Sequence, residues 1–344
     1  MDGREGFCSW VKDGRIFVVG GKDAEDQMRG EWVLAERELK GGKGWTARGG
    51  KVPAGLSRTS AGCAVDGGKV FVFGGMSLDE EQMWLNDVCV LDLEKGEWKI
   101  VRAKGEVPSI RAHPMVCVLG KEKRFVVVFG GFGPVDPEED EEECPPEKKA
   151  RVEEDEDEED DEDENAISFS WFDDCYAFDT AAMRWRKVKV AGEPPVGRCA
   201  GSLTAVAESE AVLFGGRTKL GARTNDVWKM IFDESRMEVS FSEVAVSGDA
   251  PEGRSYHSAV FHEGNLYIHG GLNDSETYLK DMFKLSLAEG KWTELSQPSL
   301  RPRAMHCAHI VDGKMYIYGG GAVYNPEFNG SESLHDNSIV EVAL

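Results

Sequence analysis

Of the 344 residues, 63 are acidic and 40 basic, giving a formal charge of −23, and 41% are hydrophobic. That is enough apolar material for a sizeable core, while the anionic balance argues against non-specific nucleic-acid binding, which depends on Lys and Arg neutralising phosphates. No apolar run approaches the ~18–20 residues of a membrane span, residues 1–20 lack a signal-peptide layout, and the eight cysteines form no CxxC pair, so a cytoplasmic protein with reduced thiols is expected.

Taken in chain order, the elements recur. A β-branched or aromatic run closes on a Gly-Gly pair six times: RIFVVGG ending at Gly21, KVFVFGG at Gly75, FVVVFGG at Gly131, AVLFGG at Gly216, LYIHGG at Gly271 and MYIYGG at Gly320. The first glycines lie 54, 56, 85, 55 and 49 residues apart, and removing one 29-residue segment from the long interval returns 56. An arginine precedes each pair by 16 to 19 residues: Arg4, Arg58, Arg111, Arg198, Arg254 and Arg303. After each pair a strand opens on acidic or amide residues, at Asn86-Asp87, Asp173-Asp174, Asn225-Asp226, Lys280-Asp281 and Asp336-Asn337, with Gly30-Glu31-Trp32 in the first unit. An aromatic then marks a fourth strand at Trp45, Trp98, Trp185, Phe241 and Trp292. Three links to the next arginine share the spelling G-x-x-P-x-x-R, starting at Gly105, Gly192 and Gly248.

This pattern predicts four short strands per unit. The second is apolar on both faces, as an inner strand needs when its sheet is packed between neighbours. The Gly-Gly allows positive φ or a close backbone approach. Sheets with two apolar faces cover one another by stacking radially. Gly-Gly, arginine and tryptophan repeated at a ~50-residue period resemble the Kelch repeat family over nearly the whole chain. The resemblance implies an all-β, six-bladed Kelch β-propeller, with blades at about 1–50, 51–104, 105–191, 192–247, 248–297 and 298–344. The shared links are more similar to eukaryotic Kelch-only proteins of the Rab9-effector and tip-elongation types than to BTB-containing ones. The sixth unit reaches Leu344 after its third strand, and the residues before Arg4 offer no substitute, so the expectation is either a last blade without its fourth strand or a terminal segment missing from this sequence. An open edge of that kind invites pairing with another chain.

One segment departs from the repeat. Between Asp136 and Glu164, 20 of 29 residues are acidic and three are basic, a net of −17 that leaves −6 for the other 315. With no aromatic and almost nothing apolar, it cannot offset its ordering entropy and reads as a disordered acidic insertion in the third blade, suited to basic partners. The remainder is nearly balanced, which weakens the composition argument against nucleic acid. Within the insertion, Lys148, Lys149 and Arg151 resemble the basic core of a nuclear-import signal, which adds a nuclear address to the cytoplasmic one; a break in a solvated charge run is the plain alternative.

Candidate chemistry is sparse. His306 and His309, like His257 and His262, stand at odd separations that place side chains on opposite strand faces, so no metal clamp is expected. Copper oxidases occur among Kelch-like propellers, and iron-dependent specifier proteins use E-x3-D-x3-H/C; here Glu332 and Asp336 fit the first spacing but the third place is Val340. No nucleophile triad or phosphate loop is present, so no cofactor is expected. The resemblance places the six arginines at one mouth of the central channel, where guanidinium forks suit an acidic peptide. The alternative role is structural, each arginine bonding carbonyls or acidic residues of the neighbouring blade. The expected function is a non-catalytic module binding a protein or peptide on the loop face. The alternatives are a substrate receptor or adaptor of a ubiquitin-ligase or trafficking complex, and an iron-dependent specifier-type enzyme.

Overall fold

The computed structural model describes residues 4–22, 34–39, 46–48, 58–66, 68–77, 83–102, 104–135, 168–325, 330–333 and 339–344. Each repeat folds as an antiparallel meander in which neighbours in sequence are neighbours in the sheet. Unit 5 is representative, with Ser258–His262, Asn265–His269, Met282–Ser286 and Lys291–Glu294 side by side. The same order holds for Glu5–Lys12 through Thr46–Arg48 in unit 1, Gly62–Asp66 through Glu97–Val101 in unit 2, Met115–Leu119 through Arg184–Ala191 in unit 3, and Ser202–Ala205 through Glu238–Glu243 in unit 4. In unit 6 the sheet has three strands among the described residues, Cys307–Val311, Lys314–Tyr318 and Val340–Ala343, with a separate hairpin of Gly321–Asn325 and Gly330–Ser333 between the second and third. Second strands are buried on both faces, Phe125–Phe129 along its full length.

The chain entering a unit first laps that unit's outer strand. Lys104–Gly105 pairs in parallel with Arg184–Trp185, Lys189–Ala191 with Glu238–Ser240, and Ser247–Gly248 with Lys291–Trp292. The lap covers an edge that would otherwise expose unpaired backbone groups. It also accounts for two glycines of the shared link. A Cβ on Gly105 or Gly248 would stand 2.1 or 2.4 Å from the carbonyl oxygen of the tryptophan alongside.

The core lies between units. Trp10 and Val19 of unit 1 pack with Val72 and Leu91 of unit 2; Phe73 and Val90 of unit 2 pack with Phe178 and Trp185 of unit 3. Corresponding clusters join units 3 and 4, 4 and 5, and 5 and 6. The last joins the ends of the circle, with Phe7, Ile16 and Val18 of unit 1 against Tyr316 and Tyr318 of unit 6. First strands contact their neighbours in cyclic order, including Glu5–Lys12 with Cys307–Val311. The ring therefore closes by sheet packing, with no strand exchanged between the end units among the described residues.

In unit 3, Phe132–Val135 and Ser168–Trp171 form a hairpin between the second and third strands. The acidic insertion springs from its far end. Residues 136–164, including Lys148, Lys149 and Arg151, lie outside the described residues, as does the expectation that they are disordered.

Candidate functional site at the axial mouth

The Gly-Gly ends of the second strands, the starts of the third strands and the arginine-bearing links converge on one face of the ring. Here each arginine donates Nη1 to the carbonyl of its own unit's first glycine. The distances are 3.2 Å for Arg4 to Gly20, 3.0 Å for Arg58 to Gly74, 3.1 Å for Arg111 to Gly130, 3.1 Å for Arg198 to Gly215, 2.9 Å for Arg254 to Gly270 and 3.1 Å for Arg303 to Gly319. Arg58, Arg111, Arg198 and Arg254 also hold, bidentately at 2.5–2.9 Å, the aspartate that opens their own third strand: Asp87, Asp174, Asp226 and Asp281. Burial alone would push the Arg58 pKa down, but the Asp87 carboxylate together with the nearby Cys89 and Cys8 outweighs it and the net shift is upward. Burial likewise raises Asp226, and the Arg198 guanidinium more than reverses that, leaving it below the usual carboxylate range.

The arginines are therefore not the lining of the mouth. Five of them, all but the half-buried Arg4, are at most 2% exposed. Arg58, Arg111, Arg198 and Arg254 spend their guanidinium donors on carbonyls and the aspartate of their own unit, not on a neighbouring blade. Neighbouring units are joined instead by the arginine's backbone carbonyl. It accepts from the second glycine of the preceding unit, from Gly75 to Arg111, Gly131 to Arg198, Gly216 to Arg254, Gly271 to Arg303 and, across the closing junction, Gly320 to Arg4, all at 2.8–2.9 Å. The approach leaves no room for a side chain: a Cβ on Gly130 would stand 2.5 Å from the Arg198 carbonyl oxygen, at φ 66°.

What surrounds the axis is the residue two places after each arginine. Gly6, Ser60, His113, Ala200, Tyr256 and Met305 all have φ between 52° and 64°. The left-handed turn aims their amides around the circle. Ser60 N–H donates to Gly6 O, His113 to Ser60, Ala200 to His113, Tyr256 to Ala200, Met305 to Tyr256 and Gly6 to Met305, at 2.7–3.2 Å. The six bonds form one closed loop. Above it lies a pocket of about 190 Å³ that also touches Phe7, Pro114 and His306. That is smaller than the ~300–1,000 Å³ of small-molecule sites and suits a side chain or a chain end of a larger ligand. His113 and Tyr256 meet edge to face at 4.9 Å.

The cationic groups at this mouth come from a different position, the residue after Gly-Gly. Lys22 is near enough that, after burial, its charge is the second cause holding His113 down at about 4. Arg217 is exposed, and among the described residues no carboxylate stands within ion-pair distance of it. Its charge opposes the upward push of burial on Tyr256 and Cys199. Across the strand pair, Arg223 is buried and saturated, donating from Nε to Ser255 Oγ (2.8 Å), from Nη1 to Asn273 O (2.8 Å) and from Nη2 to Glu276 Oε1 (2.7 Å).

The histidines hold neighbouring first strands together. His257 bonds Ser202, His306 bonds Ser258 and His309 bonds Ser9, at 2.8–2.9 Å, each across a unit junction. His306 and His309 reach opposite neighbours, as their odd separation requires. Among the described residues no three His, Cys, Asp or Glu side chains form a metal-holding group; Asp336 lies outside them, and Val340 belongs to the strand Val340–Ala343.

A family model described as the KLHDC2/KLHL20/DRC7 Kelch-repeats domain matches residues 1–142 and 162–335. The chain belongs to the Kelch-repeat family. Its matched span omits residues 143–161, the middle of the acidic insertion, and covers five Gly-Gly units and most of the sixth. This Kelch propeller is 24% identical over 329 residues to Kelch domain-containing protein 1 of Homo sapiens, covering 92% of this chain and 75% of the relative. It is 27% identical over 345 residues to Kelch domain-containing protein 2 of Bos taurus, covering 96% and 78%. It is also 26% identical over 257 residues to N-(sulfonatooxy)prop-2-enimidothioate sulfolyase of Thlaspi arvense, covering 71% and 63%. The solved structure of YjhT superposes with a TM-score of 0.65 at 18% identity over 98% of this chain and 97% of that one, which is a likeness of fold.

Sequence reasoning found the arginines and the aspartates but did not pair them, and it missed the axial residues, Lys22 and Arg217. The pairing had a signal, since arginine and aspartate are 29, 28 and 27 residues apart in units 2, 4 and 5. The axial position had none, because its six residue types share only a backbone conformation.

Proposed function

We propose that this Kelch propeller is a non-catalytic interaction module that docks a protein or peptide at the axial mouth of its loop face, an anionic group of the partner meeting Arg217. Arg217 is the observation that carries this. A guanidinium that is exposed, near enough for its charge to act on the pocket-lining Tyr256, and without a carboxylate partner among the described residues, contrasts with Arg223 and the arginines paired to Asp87, Asp174, Asp226 and Asp281. Guanidinium forks are well suited to carboxylates and phosphates. The small pocket volume and the relatives named as Kelch domain-containing proteins support an interaction role. The lyase alternative, raised by the sulfolyase relative, needs a ligating side chain where this chain has Val340, which offers none. Roles in a ubiquitin ligase or trafficking complex rest on whatever partner the mouth takes. The test compares partners recovered by the wild-type chain and by Arg217→Glu, with Lys189→Glu on the outer strand as the charge control. Loss of specific partners with Arg217→Glu alone supports the reading, and identical partner sets refute it.

A further inference from the structure

Outward from the mouth, a groove of about 890 Å³ runs between units 3 and 4. One wall is the hairpin below the acidic insertion, presenting Phe169 and Trp171; the floor is Val188 and Val190 of the outer strand; the far side is Pro194 and Lys219. Register explains the apolar wall. Phe132 pairs with Trp171 and Pro134 with Phe169, so all four project from one face of the ribbon while Gly133, Val135, Ser168 and Ser170 occupy the other. These side chains pack on one another and on unit 2. Phe132 stacks on Phe169 at 5.4 Å and meets Trp171 at 4.6 Å, and Trp84 of unit 2 contacts both Phe132 and Phe169 at 5.8 Å. The wall is also anchored tightly, since a Cβ on Gly197 would stand 2.1 Å from Trp171 O and one on Gly133 2.3 Å from Ile110 O. Phe169 nevertheless remains 44% exposed.

Two lysines, Lys187 and Lys219, line this groove. Both are exposed, and among the described residues neither has a carboxylate within ion-pair distance. Of the two aspartates that also line it, Asp174 is committed to Arg111 and Asp173 is exposed, so the lysines leave the groove a net positive charge of one. A rigid aromatic wall facing two uncommitted ammonium groups is complementary to an extended segment that alternates acidic with apolar residues. We propose that the groove between units 3 and 4 binds such an acidic–apolar peptide segment of a partner protein. This deepens the interaction reading, resting on it only in taking the ligand to be a peptide, and it does not require the mouth.

The probe is a fluorescent peptide of about a dozen residues alternating Asp or Glu with Phe or Leu, its termini blocked so that no terminal carboxylate enters. Anisotropy on the full chain should show saturable binding that weakens with salt. Lys187→Glu with Lys219→Glu should weaken it at least about tenfold, while Arg217→Glu, outside the groove, changes it far less. A matched peptide with lysine in place of its acids should not bind. Both lysines are exposed, so the double variant should keep the wild-type melting temperature. Equal binding by the double variant, or by the basic peptide, overturns the proposal while leaving the mouth reading intact. Binding that emerges only when residues 136–164 are deleted overturns it too, since the groove would then belong to the chain's own acidic segment.

Discussion

Replacing Asp281 by alanine isolates what the arginine–aspartate frame contributes. Arg254 is fully buried, with Nη1 and Nη2 on Asp281 at 2.6 and 2.9 Å, Nη1 also on Gly270 O at 2.9 Å and Nε on Glu252 O at 3.1 Å. Removing the carboxylate leaves a guanidinium that is itself 0% exposed without its charge partner. Breaking a buried pair in this way costs about 3–5 kcal/mol. At about 2.1 cal/mol/K of unfolding entropy per residue, the 344-residue chain loses roughly 0.7 kcal/mol per kelvin, so the melting temperature should fall by about 4–7 °C. Differential scanning calorimetry measures this, with Lys189→Ala as the reference because its pair with Glu238 has a 72%-exposed lysine and should shift stability by under about 1 kcal/mol. If Asp281→Ala melts within about 1 °C of Lys189→Ala, the frame is not holding the repeat together.

Acid should destabilise the ring well before its carboxylates titrate. Burial pushes His257 down to about 3 and His113, His269 and His309 down to about 4. In the unfolded chain each titrates near ~6.5, so between there and pH ~4 the unfolded state binds more protons and folding free energy falls as pH drops, by up to about 1.4 kcal/mol per pH unit for each histidine. Urea titrations from pH 7 to 4 should show that steep decline; a flat profile would contradict it. Gly130→Ala should be far more damaging than Gly14→Ala. Both have positive φ (66° and 67°), but only the first would drive a Cβ against a carbonyl oxygen, so Gly14→Ala should cost about 1 kcal/mol and Gly130→Ala several times more. Replacing Lys148, Lys149 and Arg151 by alanine in a fluorescent fusion should abolish any nuclear fraction if that cluster directs import; an unchanged distribution would rule it out.

The propeller was legible in the sequence because it depends on residues with few substitutes. Only glycine fits where Gly130 meets the Arg198 carbonyl, and only a β-rich apolar run fits a strand buried on both faces. Ring closure was not legible. It rests on Phe7 and Ile16 meeting Tyr316 and Tyr318, a contact between opposite ends of the chain that no local pattern encodes. The arginines were visible and misplaced for a related reason. The near-constant spacing to Asp87, Asp226 and Asp281 carried the pairing, but spacing does not show that the paired guanidinium is buried rather than facing the channel. The aromatic wall at Phe169 and Trp171 was hidden because its partner strand, with Phe132, lies on the other side of the acidic insertion.

The loop of amides around the axis has an implication for how such a mouth diversifies. Since closure uses only main-chain groups at Gly6, Ser60, His113, Ala200, Tyr256 and Met305, the five side chains after Gly6 take no part in the circle of bonds, whereas a Cβ on Gly6 would stand 2.3 Å from Thr59 Oγ1. Exchange of those five is not unrestricted. A left-handed backbone penalises residues branched at Cβ, and valine, isoleucine and threonine are absent from all six places. The rim of this propeller thus amounts to a word of fixed first letter, whose other five letters are drawn from a reduced alphabet while the page it is written on stays whole.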